Sequence, residues 1–215
     1  MGRTLSTIAR RVGIFGGSFD PVHNAHLALA RLAVDELELD ELLWVPAGKP
    51  WQKTRAVTSA VHREAMVRLA IEGQPEFSVS RIEIERRGPS FTLDTVRELR
   101  ALRPGVKWYL VIGQDQYAAF HTWRGWQELL GLVTLAIANR PDAEGTADPQ
   151  VLGVPHEAVA LPMMDISSTD IRERIAQGAA IDDLVPATVA RYIARHHLYQ
   201  EPPGSNPAQE LNGHS

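Results

Sequence analysis

The sequence predicts an α/β domain built on a single doubly wound parallel sheet. Three observations carry this expectation. A short apolar run stops at the paired glycines Gly16 and Gly17, helical spacing begins directly after it, and strand-like and helix-like periods then alternate along the chain. With 215 residues there is enough chain for one substantial core. Hydrophobic residues make up 44% and charged residues 22%, a globular balance that excludes disordered, fibrous and coiled-coil classes.

Arg11 to Phe15 reads as a buried strand ending in a glycine turn. From Asn24, Leu27, Ala30, Val34 and Leu37 fall at helical spacing. Leu42 to Val45, closed by Pro46, is a second strand, so the opening is a βαβ unit with parallel strands. Ala47 to Ser59 is a polar loop carrying Lys49, Lys53 and Arg55. A helix is expected from Ala60 to Glu72, with Val61, Ala65, Leu69 and Glu72 in register. Short strands are expected over Phe77 to Ser80 and Ile82 to Glu85, and a helix over Thr92 to Leu102 stopped by Pro104 and Gly105. Trp108 to Ile112 is the clearest buried strand, closed by Gly113. Leu132 to Ala138 and Val159 to Leu161 read as strands, Thr169 to Ala176 and Pro186 to His196 as helices. The ordered domain is expected over 11–200. The tail 201–215, rich in proline and glycine, is expected to be disordered.

The formal net charge of −4 gives no electrostatic case for nucleic acid or an anionic membrane as partner. There is no cysteine, which removes disulfides, thiolate metal sites and cysteine nucleophiles together. Arg3, Arg10 and Arg11 are not followed by an apolar segment of signal-peptide length, and no stretch reaches the roughly 18 apolar residues of a spanning helix. A cytoplasmic protein is expected.

Three segments carry chemistry. The first, G-G-S-F-D-P-V-H-N-A-H from Gly16 to His26, follows the first strand. Its glycines permit close backbone approach to a ligand, and the N–H groups of the following helix point back at the same place. His23 and His26, three apart, can face one phosphate, although both can also serve as incidental helix-capping side chains or as zinc ligands lacking an obvious third partner. Neither the dinucleotide-binding G-x-G-x-x-G nor the Walker lysine loop occurs. The second, I-S-S-T-D-I-R from Ile166 to Arg172, offers hydroxyls, a helix N-terminus and a guanidinium; Ser167 and Asp170 alone would make an ordinary cap. In the third, Gly113 to Trp123, Gly113 and Asp115 sit at the end of the central strand, where doubly wound sheets bind ligands, and Trp123 can stack on a flat ring or pack in the core.

Together these segments resemble the bacterial nicotinate-nucleotide adenylyltransferases. G-G-S-F-D-P-V-H-N-A-H and I-S-S-T-D-I-R are shared with related nucleotidyltransferases, including phosphopantetheine adenylyltransferase. P-S-F-T-L-D-T from Pro89, G-Q-D from Gly113 with Trp123 beyond it, and A-N-R-P from Ala138 are similar to the nicotinate branch in particular. The resemblance runs from about Val12 to Tyr199 and implies a Rossmann-like nucleotidyltransferase fold. It departs from the family at Ala25, where glycine is usual, and at Gln52, where histidine is usual.

The resemblance implies adenylyl transfer from ATP to nicotinate mononucleotide, a step of NAD biosynthesis. Gly16, Gly17, Ser18 and Phe19 would line the ATP site with Gly113 and Asp115, and His23 and His26 would lie on the triphosphate. Ser167, Ser168 and Arg172 would hold adenylate and phosphates from the other side. Thr92, the backbone of Leu93 and of Arg124, and Trp123 would take the nicotinate ring and carboxylate. Lys53, Asp115 and Arg140 would serve the mononucleotide or the reacting phosphates. His23, His26, Lys53 and Arg172 are thus the implied catalytic residues, with Mg²⁺ carried on the ATP phosphates and no dedicated protein metal site. Transfer to another phosphorylated acceptor, or nucleotide binding without catalysis, are the competing readings.

Overall fold

A computed structural model of the chain describes residues 9–48, 57–139, 148–160, 164 and 166–200. The tail from 201 and the loop residues Lys49, Gln52, Lys53 and Arg55 lie outside the described residues, as does Arg140. Strand β1 (Arg11–Gly17) leads into α1 (Asn24–Glu36), β2 (Glu41–Pro46), α2 (Ala60–Ala70), β3 (Phe77–Val79), α3 (Ile82–Glu85), α4 (Thr92–Leu102) and β4 (Lys107–Gly113). There follow α5 (Gln114–Ala118), a 3₁₀ turn (Phe120–Thr122), α6 (Trp126–Leu132), β5 (Thr134–Asn139), α7 (Pro149–Leu152), β6 (His156–Ala160), α8 (Ser168–Ala176) and α9 (Ala187–Arg195).

The strands form one sheet in the order β3-β2-β1-β4-β5-β6, every pair parallel. The order reverses between β1 and β4, so the loops after these strands leave for opposite faces and open a crevice between them. Period-two alternation loads both faces with apolar side chains. Ile14, Leu110 and Ile112 enter one core beneath α4 and α6. Phe15, Tyr109 and Val111 enter the other, which α1, α2, α8 and α9 cover.

Four sequence expectations need correction. Ile82–Glu85, whose alternation reads as a strand, is helix α3. Sheet pairing ends where the Ser80 N–H donates to the Trp44 carbonyl (2.8 Å), and the Glu85 N–H then closes a helical turn on Arg81 (2.9 Å). Leu132 belongs to α6, since the Val133 N–H still donates to the Leu129 carbonyl (3.1 Å), and the strand begins at Thr134. The short strand expected from Val159 starts at His156, and Leu161 lies outside the described residues. Helix α2 turns a different face inward from the one expected. Val61 is 71% exposed and Glu72 is exposed, while Arg63, Met66 and Val67 are buried. A search for apolar periodicity passes over a buried face whose first member is an arginine.

That arginine fastens the end of the sheet. Arg63 is 1% exposed, and its fork donates to four backbone carbonyls: Nε to Thr58 (2.8 Å), Nη1 to Ser18 (2.8 Å), Nη2 to Ala47 (2.6 Å) and to Gly48 (3.3 Å). The loops after β1 and β2 are thereby tied to each other and to the start of α2. A direct bond from the Ala47 N–H to the Gly17 carbonyl (2.8 Å) adds to the tie. Gly48 is needed in this junction, because a β-carbon there would collide with the carbonyl oxygen of Glu83. Arg63→Met keeps an apolar stem and strands the carbonyls. Buried acceptors left unpaired cost about 1–3 kcal/mol each before relaxation and water entry, so a net loss of about 3 kcal/mol is expected in equilibrium denaturation. A loss below about 1 kcal/mol would mean that the loops hold together without the guanidinium.

Candidate active site

At the C-terminal ends of β1 and β4 a cleft of about 230 Å³ opens on the face covered by α4 and α6. Gly16, Gly17 and Ser18 form one wall; Thr92, Trp123 and Arg124 form the opposite one; Ile14, Leu110 and Ile112 of the sheet also line it. A β-carbon on Gly16 would meet nothing within 4 Å, so backbone rather than side chain faces the open space there. Trp123 is half-buried, its ring 5.1 Å from that of Phe120, and the Arg124 guanidinium lies 4.8 Å over the Phe91 ring. The cleft therefore offers an aromatic plane, a cation and helix α4's first residue at one end, and a glycine backbone at the other.

On the opposite side of β1 the chain turns at Phe19, whose φ of +47° is left-handed and costly for a residue with a side chain. Burial compensates: Phe19 is 1% exposed, packed edge-on against Phe15 (5.5 Å) and His26 (5.2 Å) and tilted against Trp44 (5.2 Å). The conformation delivers His23 to the N-cap of α1 and His26 to its first turn, where the two imidazoles stack 3.6 Å apart at 25°. His26 Nδ1 accepts the His23 N–H (3.2 Å), which in the neutral ring leaves the proton on Nε2. Burial depresses the His23 pKa to about 4, and burial followed by the neighbouring His23 depresses that of His26 well below the usual value. The pair thus consists of neutral hydrogen-bond donors at physiological pH. The N-terminus of α1 is also less open to an anion than its position suggests, since the Asn24 N–H is taken by the Leu184 carbonyl (2.9 Å).

The second candidate segment, Ile166 to Arg172, arrives from the far end of the chain. Ser167 caps α8, accepting the Asp170 N–H at 3.1 Å, as expected for its spacing. The Ser168 hydroxyl donates to the Pro21 carbonyl (2.9 Å). Arg172 Nη1 donates to the carbonyls of Asp20 (2.8 Å) and Ser168 (2.9 Å), and Nη2 to Thr169 Oγ1 (3.1 Å). Two segments about 150 residues apart in sequence are thus bonded directly, which brings Ser167, Ser168 and Arg172 beside the histidine loop.

Of the other expected site residues, Leu93 has its side chain buried in the core, consistent with a role for its backbone alone. Gly113 ends β4 and caps α5; Asp115 is exposed on α5 and does not line the cleft, whereas its neighbour Gln116 does. Ala25, in place of the usual glycine, sits half-buried on the first turn of α1. Sequence reasoning missed Arg63, Glu83 and Tyr199. Glu83 lines the cleft, accepts the Thr95 hydroxyl (2.8 Å) and is raised in pKa chiefly by burial. Its signal was hidden by reading I-E-I-E as a strand.

Comparison with known proteins agrees with this geometry. The cytidylyltransferase-like family profile matches residues 14–174. A protein of Methylibium petroleiphilum named probable nicotinate-nucleotide adenylyltransferase is 52% identical over 205 residues, covering 93% of this chain and 97% of that protein. One of Bordetella petrii with the same name is 49% identical, covering 89% and 100%. In fold, the chain is similar to the Plasmodium falciparum nicotinic acid mononucleotide adenylyltransferase complexed with NaAD, with a TM-score of 0.74 at 20% identity over 88% of this chain and 97% of that one.

The lowered His23 pKa has a definite sign. Between pH 6.5 and about 4 the unfolded chain binds a proton at this position that the folded chain does not, so this residue's contribution to stability is lost progressively as pH falls through that window. An NMR titration of the free protein should place the His23 midpoint near 4. Adding inorganic triphosphate should move it upward, because anions favour the imidazolium. A midpoint of 6 or above without ligand would contradict the buried, neutral pair.

Proposed function

The chain belongs to the nicotinate-nucleotide adenylyltransferases, within the cytidylyltransferase-like family, and from that premise we propose how its residues carry out the reaction. The enzyme transfers the adenylyl group of ATP to nicotinate mononucleotide, giving nicotinate adenine dinucleotide and pyrophosphate in the synthesis of NAD. The observation that carries the residue assignment is the wall from Gly16 to Ser18. It closes the aromatic cleft on one side, and the same loop runs on to the stacked histidines and Arg172 on the other. An acceptor held in the cleft by its ring and a triphosphate held by the histidine loop would meet along that wall.

The acceptor's phosphate attacks the α-phosphorus of ATP in line. A new P–O bond forms as the bond from the α-phosphorus to the bridging oxygen breaks, and pyrophosphate leaves with the electron pair. The nucleophile is already anionic near neutral pH, so no general base and no covalent intermediate are required. What the protein contributes is alignment and stabilisation of the charge moving onto pyrophosphate. His23 and His26 donate from their rings, Arg172 supplies a fixed positive charge, and the backbone N–H groups at Ser167 and Ser168, at the start of α8, add donors. Lys53 and Arg140, outside the described residues, are proposed for the mononucleotide phosphate. Thr92, the Leu93 and Arg124 N–H groups and Trp123 are proposed for the nicotinate.

Mg²⁺ is the proposed cofactor. Among the described residues the donors facing this site are imidazoles, hydroxyls, amides and guanidinium. They match phosphate oxygens better than a hard divalent cation, which suits an ion carried on the triphosphate. Carried there, Mg²⁺ would neutralise phosphate charge, and the exposed Asp115 carboxylate would suit one of its waters. Among the described residues no helix is long and apolar enough to cross a membrane. We propose a cytoplasmic enzyme, and the net charge of −4 supports small-molecule partners rather than nucleic acid or an anionic membrane.

Pyrophosphate release with ATP and a panel of phosphorylated acceptors tests the reading directly. His23→Ala is expected to lower kcat by about two orders of magnitude, the scale of losing one donor to a developing charge. Unchanged kcat would remove His23 from the mechanism. Selectivity tests the acceptor end. Backbone donors favour a carboxylate over a carboxamide, whose NH₂ faces them without an acceptor; each mismatch costs roughly 1–3 kcal/mol, about ten- to a hundredfold. Thr92→Ala should weaken the acid form selectively, and Trp123→Ala both forms alike. Equal kcat/KM for nicotinate and nicotinamide mononucleotides in the wild type would refute this acceptor geometry.

A further inference from the structure

Asp20 lies in the histidine loop, is 0% exposed, and is not needed by any step above. Its carboxylate is held from two directions. Oδ1 accepts the Tyr199 hydroxyl at 2.7 Å, and Oδ2 the Thr58 N–H at 3.4 Å. Its backbone carbonyl, and that of the next residue, are bonded as well. The Asp20 carbonyl accepts Arg172 Nη1 (2.8 Å) and the Pro21 carbonyl accepts the Ser168 hydroxyl (2.9 Å). One short stretch of backbone therefore carries the guanidinium and a hydroxyl of the phosphate-facing segment, while its buried side chain takes a phenol from the C-terminal end of the domain.

The route by which Tyr199 arrives is specific. Helix α9 ends at Arg195; His197 then takes a left-handed φ of +50°, and the Leu198 N–H turns back to the Ile193 carbonyl (3.1 Å). Tyr199 itself adopts φ +65°. Two successive departures from ordinary backbone geometry aim one hydroxyl at one buried carboxylate. Burial and the adjacent Asp20 keep the phenol protonated, so it acts as a donor.

We propose that Tyr199 is a positioning residue for adenylyl transfer, whose hydroxyl, through Asp20, sets the Asp20–Pro21 carbonyls that hold Arg172 and the start of α8 toward the triphosphate. Tyr199 touches no substrate. It packs against the core on the α1 and α9 side of the sheet, whereas the acceptor cleft lies against the other core. Its loss should therefore fall on ATP and not on the acceptor. The inference rests on the proposed role of Arg172, and the test separates the two.

The experiment compares Tyr199→Phe and Arg172→Ala with wild type in two-substrate kinetics, with ATP binding measured by calorimetry as a readout independent of turnover. Tyr199→Phe keeps the ring and its packing, and a Tm within about 5 °C of wild type checks that it folds. The expected result is a rise of about tenfold in KM and Kd for ATP and a fall of about tenfold in kcat, with KM for nicotinate mononucleotide within twofold. General destabilisation would lower apparent kcat through the active fraction and leave both KM values in place; that pattern, or equal weakening of both substrates, overturns the proposal. Wild-type behaviour of Tyr199→Phe beside a defective Arg172→Ala overturns it while keeping Arg172 in the site. Wild-type ATP affinity in both variants removes the assignment of Arg172 as well.

Discussion

The carbonyl groups at the C-terminal ends of β1 and β2 pose the constraint on which the rest of this structure depends. Parallel strands end there, the chain turns into loops that must stay open to a ligand, and sheet pairing no longer satisfies the backbone. Arg63 resolves this from beneath. One buried guanidinium takes carbonyls from the β1 loop, the β2 loop and the approach to α2, so three segments share one fixed point. A lysine could not span these positions, since its donors radiate from a single atom while the guanidinium presents a planar fork. The buried charge is partly balanced by the nearby Asp20, which raises the Arg63 pKa against the lowering by burial. The same carboxylate belongs to the loop that Arg63 holds, so balance of charge and fixing of the loop are one arrangement.

The electrostatics of the site follow from that rigidity. An enzyme that brings two polyphosphorylated molecules together is expected to hold strong positive charge in waiting. Yet the paired imidazoles are kept neutral by burial, and His26 also by the neighbouring His23. Neutral donors avoid the cost of two like charges 3.6 Å apart in the free protein, and a bound triphosphate would itself raise their proton affinity. Arg172 adds permanent charge beside them, anchored on backbone carbonyls and unable to deprotonate. The arrangement is stable when empty and becomes more attractive to an anion once the anion arrives.

The sheet separates the aromatic cleft from the histidine loop, while the end of β1 borders both. Alternate residues of β1 enter different cores, Ile14 towards the aromatic cleft and Phe15 towards the histidines, so each side can be shaped by its own helices. The glycine backbone at the end of β1 borders both. Gly17 is pressed from behind by the Phe19 ring, 3.0 Å from where a β-carbon would stand, while Gly16 faces open space. A side chain at the first position would disturb the buried aromatic cluster, and at the second it would occupy the cleft.

The alternation of periods was enough to determine the sheet, its parallel sense and the positions of its main strands and helices, because a buried β1 or β4 must be apolar on both faces. The glycines, His23, His26, Thr92, Trp123 and Arg172 were legible for a related reason: each departs from what a plain strand or helix needs at its position. What only the tertiary structure decided are the relations between distant residues. Arg63 was invisible because a buried cation breaks the apolar rule used to find a buried face, and Tyr199 because its partner Asp20 lies 179 residues away in sequence. The charge state of the histidines was likewise undetermined, since it depends on how completely Phe15, Phe19 and their neighbours remove water from the imidazoles. Periodicity records which side of an element is covered; only packing in three dimensions decides what covers it, and hence which polar groups meet and which protons they keep.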